Sequence, residues 1–453
     1  MDQDRAQYVT MTERPIGPLI TSLAVPTIVS MMVTSIYNMA DTFFVSKLGT
    51  SASGAVGIVF SLMAIIQAVG FTVGMGSGSW ISRLLGEKRT EEAGKVASSG
   101  FGLAILFGLG LSVVGLSNLE GLMRILGASA TILPYARDYA GYILLAAPVM
   151  SASFVLNNIL RAEGKAKFAM FGIGAGGMLN IALDPLFIFV FDLGIAGAAI
   201  ATALSQCVSF LILLTVFLSG KTIVKIKPKI ISKKVGTYIS ILTFGLPSLS
   251  RQGLASISTI LLNTSAAGYG DAAVAAMAIT GKIFLFIFSI ILGIGQGYMP
   301  VLGYNYGARK FDRVRGAFFF TFKINTLIIS VLALGGFFAA ESLIRFFIAA
   351  DPEVIRIGSR AFRFSCASMP LISLGVVCNM TFQSIGKAWT ATILATLRQG
   401  ICLIPLLLVL PRLIGLTGIQ LAQPAADLLT FLCCIPFTLH FFRLLEREKR
   451  KAA

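Results

Sequence analysis

The chain has 453 residues, 56% of them apolar and only 13% charged, with a mean hydropathy of +0.85. Soluble domains carry about 25% charged residues, so this chain cannot cover itself against water, and apolar stretches of about 20 residues, enough to span a bilayer, recur from end to end. The net charge of +17 does not predict a nucleic-acid partner, because the basic residues sit in short loops between those stretches.

The N-terminal MDQDRAQYVTMTERP is polar and mixed in charge, with neither the apolar core nor the cleavage site of a signal peptide. The first span is therefore expected to stay in the mature protein. Apolar runs between charged or Gly/Pro-rich breaks predict six spans in the first half, near 17–44, 54–82, 94–118, 134–160, 168–191 and 195–219. The first carries Pro26, Tyr37 and Asp41; the second contains GMGSG around Gly76. The fourth holds Tyr139 and Asn157, the fifth Asn180 and Asp184-Pro185, and the sixth Thr202. A basic segment, GKTIVKIKPKIISKKVG, follows. Six more spans are predicted near 237–264, 273–303, 316–343, 356–383, 389–411 and 415–442. The six cysteines lie inside apolar stretches without metal-ligand spacing, and His440, the single histidine, excludes a histidine metal centre.

The second half repeats the first at an offset of about 221 residues. Pro26 answers to Pro247, Gly49 to Gly270, Gly76 to Gly297, Gly164 to Gly386, and Gly194 to Gly415. Six spans is an even number, so both halves enter the membrane from the same side and the repeats are parallel. The expected fold is all-α and integral to the membrane: twelve transmembrane helices in two homologous six-helix bundles, related by a pseudo-two-fold along the membrane normal. The expected domains are an N-terminal lobe over 1–219, a cytoplasmic linker over 220–236, and a C-terminal lobe over 237–453. With the N-terminus inside, 26 Lys and Arg fall in inner segments and eight in outer ones, leaving Arg251, Lys282 and Arg398 within spans. That asymmetry places both termini in the cytoplasm.

Charges inside spans are costly, at roughly 2.5–3.5 kcal/mol each mid-helix, and so mark function. Counting about 1.5 Å per residue from the outer ends puts Asp41 about 9 Å and Asp184 about 12 Å deep, with Thr202 at a similar level. Asn180 lies one turn from Asp184 on the same face. Two carboxylates, an amide and a hydroxyl in one layer suit a hard cation such as sodium. Equally, two carboxylates in low dielectric resist holding charge together, so one can carry a proton. The competing reading is a buried structural Asp with a hydrogen-bond partner; a local role, with Asn180 or Asp184 satisfying the helix loosened by Pro185, is compatible with either. Tyr37 and Tyr139 read as cavity residues or interfacial anchors, and Arg251 and Arg398 as partners of Asp427 or a helix end. GMGSG and GIGQG lack the Lys-Ser/Thr of a phosphate loop and read as close helix packing.

As a set, AVPTIVSMMVTSIYNMADTFFVSKLGTSASGAVGI, GEKRTEEA, ILRAEGKAK, LNIALDPLFIF, LGIAGAAIATALSQ, GQGYMPVLGYNYGARKFDRV and FQSIGKA resemble the multidrug and toxic compound extrusion (MATE) family. The resemblance covers residues 15–440. It implies two six-helix bundles enclosing a substrate site, alternating access, and export of amphipathic organic cations against inward proton or sodium flux. One branch of that family couples ions through acids in spans 7 and 10. Here span 7 has only Arg251 as a charge, and the core of span 10 (CASMPLISLGVVCNMTFQ) has no acid. The chain is instead similar to the DinF-like branch, whose coupling positions match Asp41, Asn180, Asp184 and Thr202, with Tyr139 nearby, and whose cavity-facing positions match Tyr37 and Asn157. The expected partners are small amphipathic cations and the bilayer of a prokaryotic plasma membrane, with no cofactor beyond the coupling H+ or Na+, no nucleic acid, and a monomeric state. Two rivals are weighed: a flippase for lipid-linked saccharides, which needs basic groups in its cavity, and a membrane-embedded enzyme, for which no clustered nucleophile or metal ligands appear.

Overall fold

A bilayer core offers no water to backbone N–H and C=O groups, and a helix closes those bonds internally. The computed structural model describes residues 2–348 and 351–452, and every regular element among them is helical. In the first half these are α1 (Asp2–Glu13), α2 (Ile16–Ser46), α3 (Thr50–Gly86), α4 (Thr90–Ser117), α5 (Leu119–Ile125), α6 (Leu133–Ala162), α7 (Ala166–Pro185) with a π turn over Leu186–Val190, and α8 (Gly194–Leu218). The second half has α9 (Val235–Ala267), α10 (Asp271–Gly307), α11 (Phe311–Phe347), α12 (Pro352–Ser384), α13 (Ala388–Thr396) running through a π turn (Leu397–Cys402) into α14 (Leu403–Ile414), and α15 (Leu416–Ala452).

The twelve expected spans each fall on one of these helices, two of them on helices broken by a π turn. Eleven are long and apolar enough to cross a membrane. The remaining one, α9, is continuous over 33 residues, but Ser248, Ser250, Arg251 and Gln252 interrupt its apolar run. Two α-helices, and a single 3-10 turn over Pro228–Ile230, stand outside the twelve among the described residues. Short α5 turns the chain between α4 and α6, and polar α1 docks through Gln7, whose Nε2 donates to the Glu163 carbonyl at 2.8 Å. Neither has the apolar length of a span.

The repeat is visible in the backbone as well as in the residues. Left-handed φ values recur at paired turn positions: Gly164 at 81° with Gly386 at 82°, and Lys88 at 63° with Arg309 at 55°. The lysine and the arginine adopt a conformation that side chains disfavour, so both turns impose the same geometry despite the cost. The fourth span of each half, α6 and α12, is the most buried of its set. Around α6, Val45, Ile66, Ile143, Leu144 and Ile188 form an apolar core. Around α12, Ile291, Ile329, Ile344, Phe362 and Met369 form another.

The chain divides into two compact units, and the division does not follow the loops. One holds the residues up to Met11 and Val25–Gly245; the other holds Thr12–Ala24 and everything from Leu246. Each boundary falls just before a helix proline, Pro26 in α2 and Pro247 in α9, where a backbone donor is missing. Glycine explains why these helix ends pack as they do. In the first unit, a Cβ at Gly76 would collide with the Ile241 carbonyl and crowd Gly245. In the second, a Cβ at the matching Gly297 would press on Ala24. GMGSG and GIGQG are thus the places where a helix backbone is admitted at close range.

Candidate functional site

Four helices of the first unit converge on one polar cluster. On α2, Tyr37 and Asp41 are one turn apart and share a face. On α7, Asn180 and Asp184 do the same, and α8 adds Thr202 with Ser205 and Gln206 close behind. Tyr139 comes from central α6. Tyr139, Asn180, Asp184 and Thr202 are all at most 3% exposed, and Asp41 is 9% exposed.

The cluster is joined by hydrogen bonds. The Tyr139 hydroxyl donates to Asp41 Oδ2 at 3.2 Å and stands beside Thr202. Asn180 Nδ2 donates to Asp184 Oδ1 and to Thr202 Oγ1, both at 3.2 Å. Asp41 and Asp184 are within electrostatic reach of each other, yet among the described residues neither has an ion-pair partner. Three acceptors remain without a donor: Asp41 Oδ1, Asn180 Oδ1 and Asp184 Oδ2. Beside them lies a small cavity of about 40 Å³, lined by Tyr37, Asn180, Thr202, Ser205 and Gln206 among others. It has room for one water-sized species.

Asn157 stands apart from this group. Its Nδ2 donates to the Ala169 carbonyl at 2.9 Å, and the matching Asn379 donates to the Ala391 carbonyl at 2.6 Å. A contact kept in both halves ties the fourth span to the fifth. Tyr139, read from sequence as either a cavity residue or an interfacial anchor, is buried and bound to a carboxylate. Of the two intramembrane arginines, Arg398 pairs with Asp427 at 2.7 Å, whereas Arg251 donates to the neutral Asn379 Oδ1 at 3.3 Å rather than to an acid. Sequence reasoning missed Ser205 and Gln206. Their signal was present: they follow Thr202 by three and four residues, which keeps them on its face.

The MatE family model matches residues 26–186 and 247–409. The chain belongs to the MatE family. The two matched segments begin at Pro26 and Pro247, the first pair of landmarks in the repeat. The multidrug export protein MepA of Staphylococcus aureus is 28% identical over 442 residues, covering 97% of both chains. A solved outward-facing multidrug resistance MATE family transporter of the MOP superfamily aligns with TM-score 0.92 at 27% identity, over 97% of this chain and 98% of that one. A MOP superfamily transporter from Pyrococcus furiosus, whose reported binding pocket has reversed polarity, aligns with TM-score 0.91 at the same identity, again over 97% and 98%. Membership in the MatE family makes this a multi-pass membrane transporter, and these relatives are transporters rather than enzymes.

Proposed function

We propose that this MatE protein is a secondary active multidrug exporter. It exchanges amphipathic organic cations for an inward flux of protons or sodium ions, by alternating access. The observation that carries the reading is the set of three buried, donorless acceptors on Asp41, Asn180 and Asp184. A buried acceptor without a partner costs about 1–3 kcal/mol, and more when it is charged. A proton on either carboxylate, or a cation among the oxygens, supplies what is missing, and its arrival or loss changes the charge that four helices must accommodate. The names of the relatives support export of drugs. Two acids with no basic neighbour support a cationic cargo over an anionic one, since like charge is excluded.

The driving force is sufficient. An inward charge crossing the full membrane supplies about 2.3 kcal/mol per 100 mV, enough for roughly 50-fold accumulation per charge. The same reading places the protein in a prokaryotic plasma membrane as a monomer, with both termini and the 220–236 linker cytoplasmic. The test is purified protein in liposomes loaded with a cationic dye, with pH and sodium gradients imposed separately. Efflux driven by one gradient is expected. Dye movement indifferent to both gradients, or equal transport of a size-matched anionic dye, overturns the proposal.

A further inference from the structure

The second unit contains a cavity that the proposed export reaction does not use. It encloses about 420 Å³ among α9, α10, α12, α15 and the π turn at Leu397–Cys402. A cavity of this size fits a small organic molecule. Its wall is mainly apolar, with Leu262, Met277, Leu285, Ile372 and Val376 contributing.

Four charged side chains face into it: Arg251, Lys282 and Arg398 against the single carboxylate of Asp427. That carboxylate is already committed. Asp427 Oδ1 accepts from Arg398 Nε at 2.7 Å and from Gln423 Nε2 at 3.0 Å, while Oδ2 accepts from Ser368 at 3.0 Å. Arg398 is further held over the rings of Phe284 and Phe288, 5.0 Å from each, yet its buried Nη2 lacks an acceptor. Arg251 donates to the neutral Asn379, and among the described residues neither Arg251 nor Lys282 has an ion-pair partner. The cavity lining therefore carries two more cations than anions, with Arg251 and Arg398 partly buried and Lys282 exposed.

The fold does not require these charges. At the repeat offset, Arg251, Lys282, Arg398 and Asp427 correspond to Ser30, Ser61, Gly176 and Gln206, and the matching cavity of the first unit is small and has no charged residue in its lining. Arg398 also sits within a π turn, a distortion that recurs at functional sites.

We propose that this cavity binds an amphiphile bearing one anionic head group (a carboxylate, a sulfate or a phosphate ester) on an apolar body. The head group is held by Arg251, Lys282 and the spare Nη2 of Arg398, and the apolar body fills the rest of the volume. A simple inorganic anion leaves the apolar wall wet, a neutral amphiphile leaves the excess charge standing, and a cationic one adds to it. The site is opposite in polarity to the acid cluster of the first unit and independent of ion coupling.

The test uses full-length protein in a maltoside detergent with no gradient, and measures displacement of fluorescent 11-(dansylamino)undecanoate. Dodecyl phosphate is expected to displace the probe, while dodecanol and dodecyltrimethylammonium fail to do so at tenfold higher concentration. Lys282 is exposed to the cavity and unpaired, so Lys282→Gln should keep the wild-type melting temperature and weaken dodecyl phosphate about tenfold, or about 1.4 kcal/mol. Arg251→Gln should act similarly, and Lys282→Glu more strongly. Repeating the titration in phosphatidylcholine nanodiscs, with and without phosphatidylglycerol, separates the sources. Competition by phosphatidylglycerol makes a membrane lipid the occupant, and its absence makes a soluble amphiphile the occupant. Displacement by dodecyltrimethylammonium equal to that by dodecyl phosphate overturns the proposal. So does unchanged affinity in the folded Arg251→Gln, Lys282→Gln double variant.

Discussion

Tyr139 on α6 donates its hydroxyl to Asp41 Oδ2 on α2 at 3.2 Å, leaving Asp41 Oδ1 buried and without a donor. The phenol fixes one oxygen, and in the proposed exchange the other is the one that a proton or a cation would complete. Asp184 is built on the same plan: Asn180 holds Oδ1, and Oδ2 has no donor.

Asp41→Asn and Asp184→Asn are each expected to abolish ion-driven dye efflux from liposomes while leaving folded, membrane-inserted protein, because the amide keeps the shape and removes the charge. Asp427→Asn should behave in the opposite way. Stripping Arg398 of its buried counter-ion is expected to cost about 3–5 kcal/mol of stability, while the molecules that fold keep their gradient dependence. Loss of coupling in folded Asp427→Asn, with coupling retained in the two N-terminal variants, places the ion site in the wrong half.

Tyr139→Phe removes the donor to Asp41 together with the hydroxyl's contact to Thr202. Ion-driven efflux should fall about tenfold, corresponding to about 1.4 kcal/mol. Unchanged ion-driven efflux in the folded variant refutes a role for this contact.

Asn157, which the resemblance matches to a cavity-facing position, donates its Nδ2 to the Ala169 carbonyl, while its Oδ1 has no partner. Asn157→Ala should therefore lower stability by about 1–3 kcal/mol through the orphaned carbonyl, seen as a reduced melting temperature. Efflux per folded molecule should not change. A shift in dye preference at unchanged melting temperature restores the cavity role.

Glu163 follows the last residue of α6, outside the span, and is wholly buried. Its carboxylate accepts the Ile223 and Val224 amides at 3.0 and 2.9 Å, tying down the segment that enters α9. Burial pushes the carboxyl from its ordinary 4.5 up to about 7, against the pull of Lys165 and the two amides. The folded protein holds this proton more tightly than the unfolded chain does. The stability it contributes is therefore full below about pH 4.5 and is lost as pH rises through about 7. Thermal unfolding between pH 5 and pH 8 should show a decline that Glu163→Gln largely removes. An equal decline in both proteins assigns it to other groups.

The 26-to-8 asymmetry of basic residues predicts a cytoplasmic linker. A cysteine at position 228 in a cysteine-free background should resist a membrane-impermeant maleimide in intact cells and react once the membrane is opened. Labelling in intact cells reverses the assigned orientation.

The sequence alone determined the helical membrane fold and its duplication, because both are written in one-dimensional periods. Spans follow from the length of apolar runs, and the repeat follows from landmarks such as Pro26 and Pro247 recurring at one offset. The adjacency of Asn180, Asp184 and Thr202 was also legible, since a helix's rise and turn convert residue number into depth and face. Tertiary structure decided everything that depends on which helices pack together. It took Tyr139 from a possible interfacial anchor to the donor on Asp41, and it gave Arg398 to Asp427 while leaving Arg251 with Asn379. It drew Arg251, Lys282 and Arg398, scattered over nearly 150 residues, into one cavity. It also divided α2 and α9 between the two units, beyond what any loop-based boundary could indicate. Periodicity reports the face a side chain occupies on its own helix, but the partner across that face is set by packing, and no spacing in the chain encodes it.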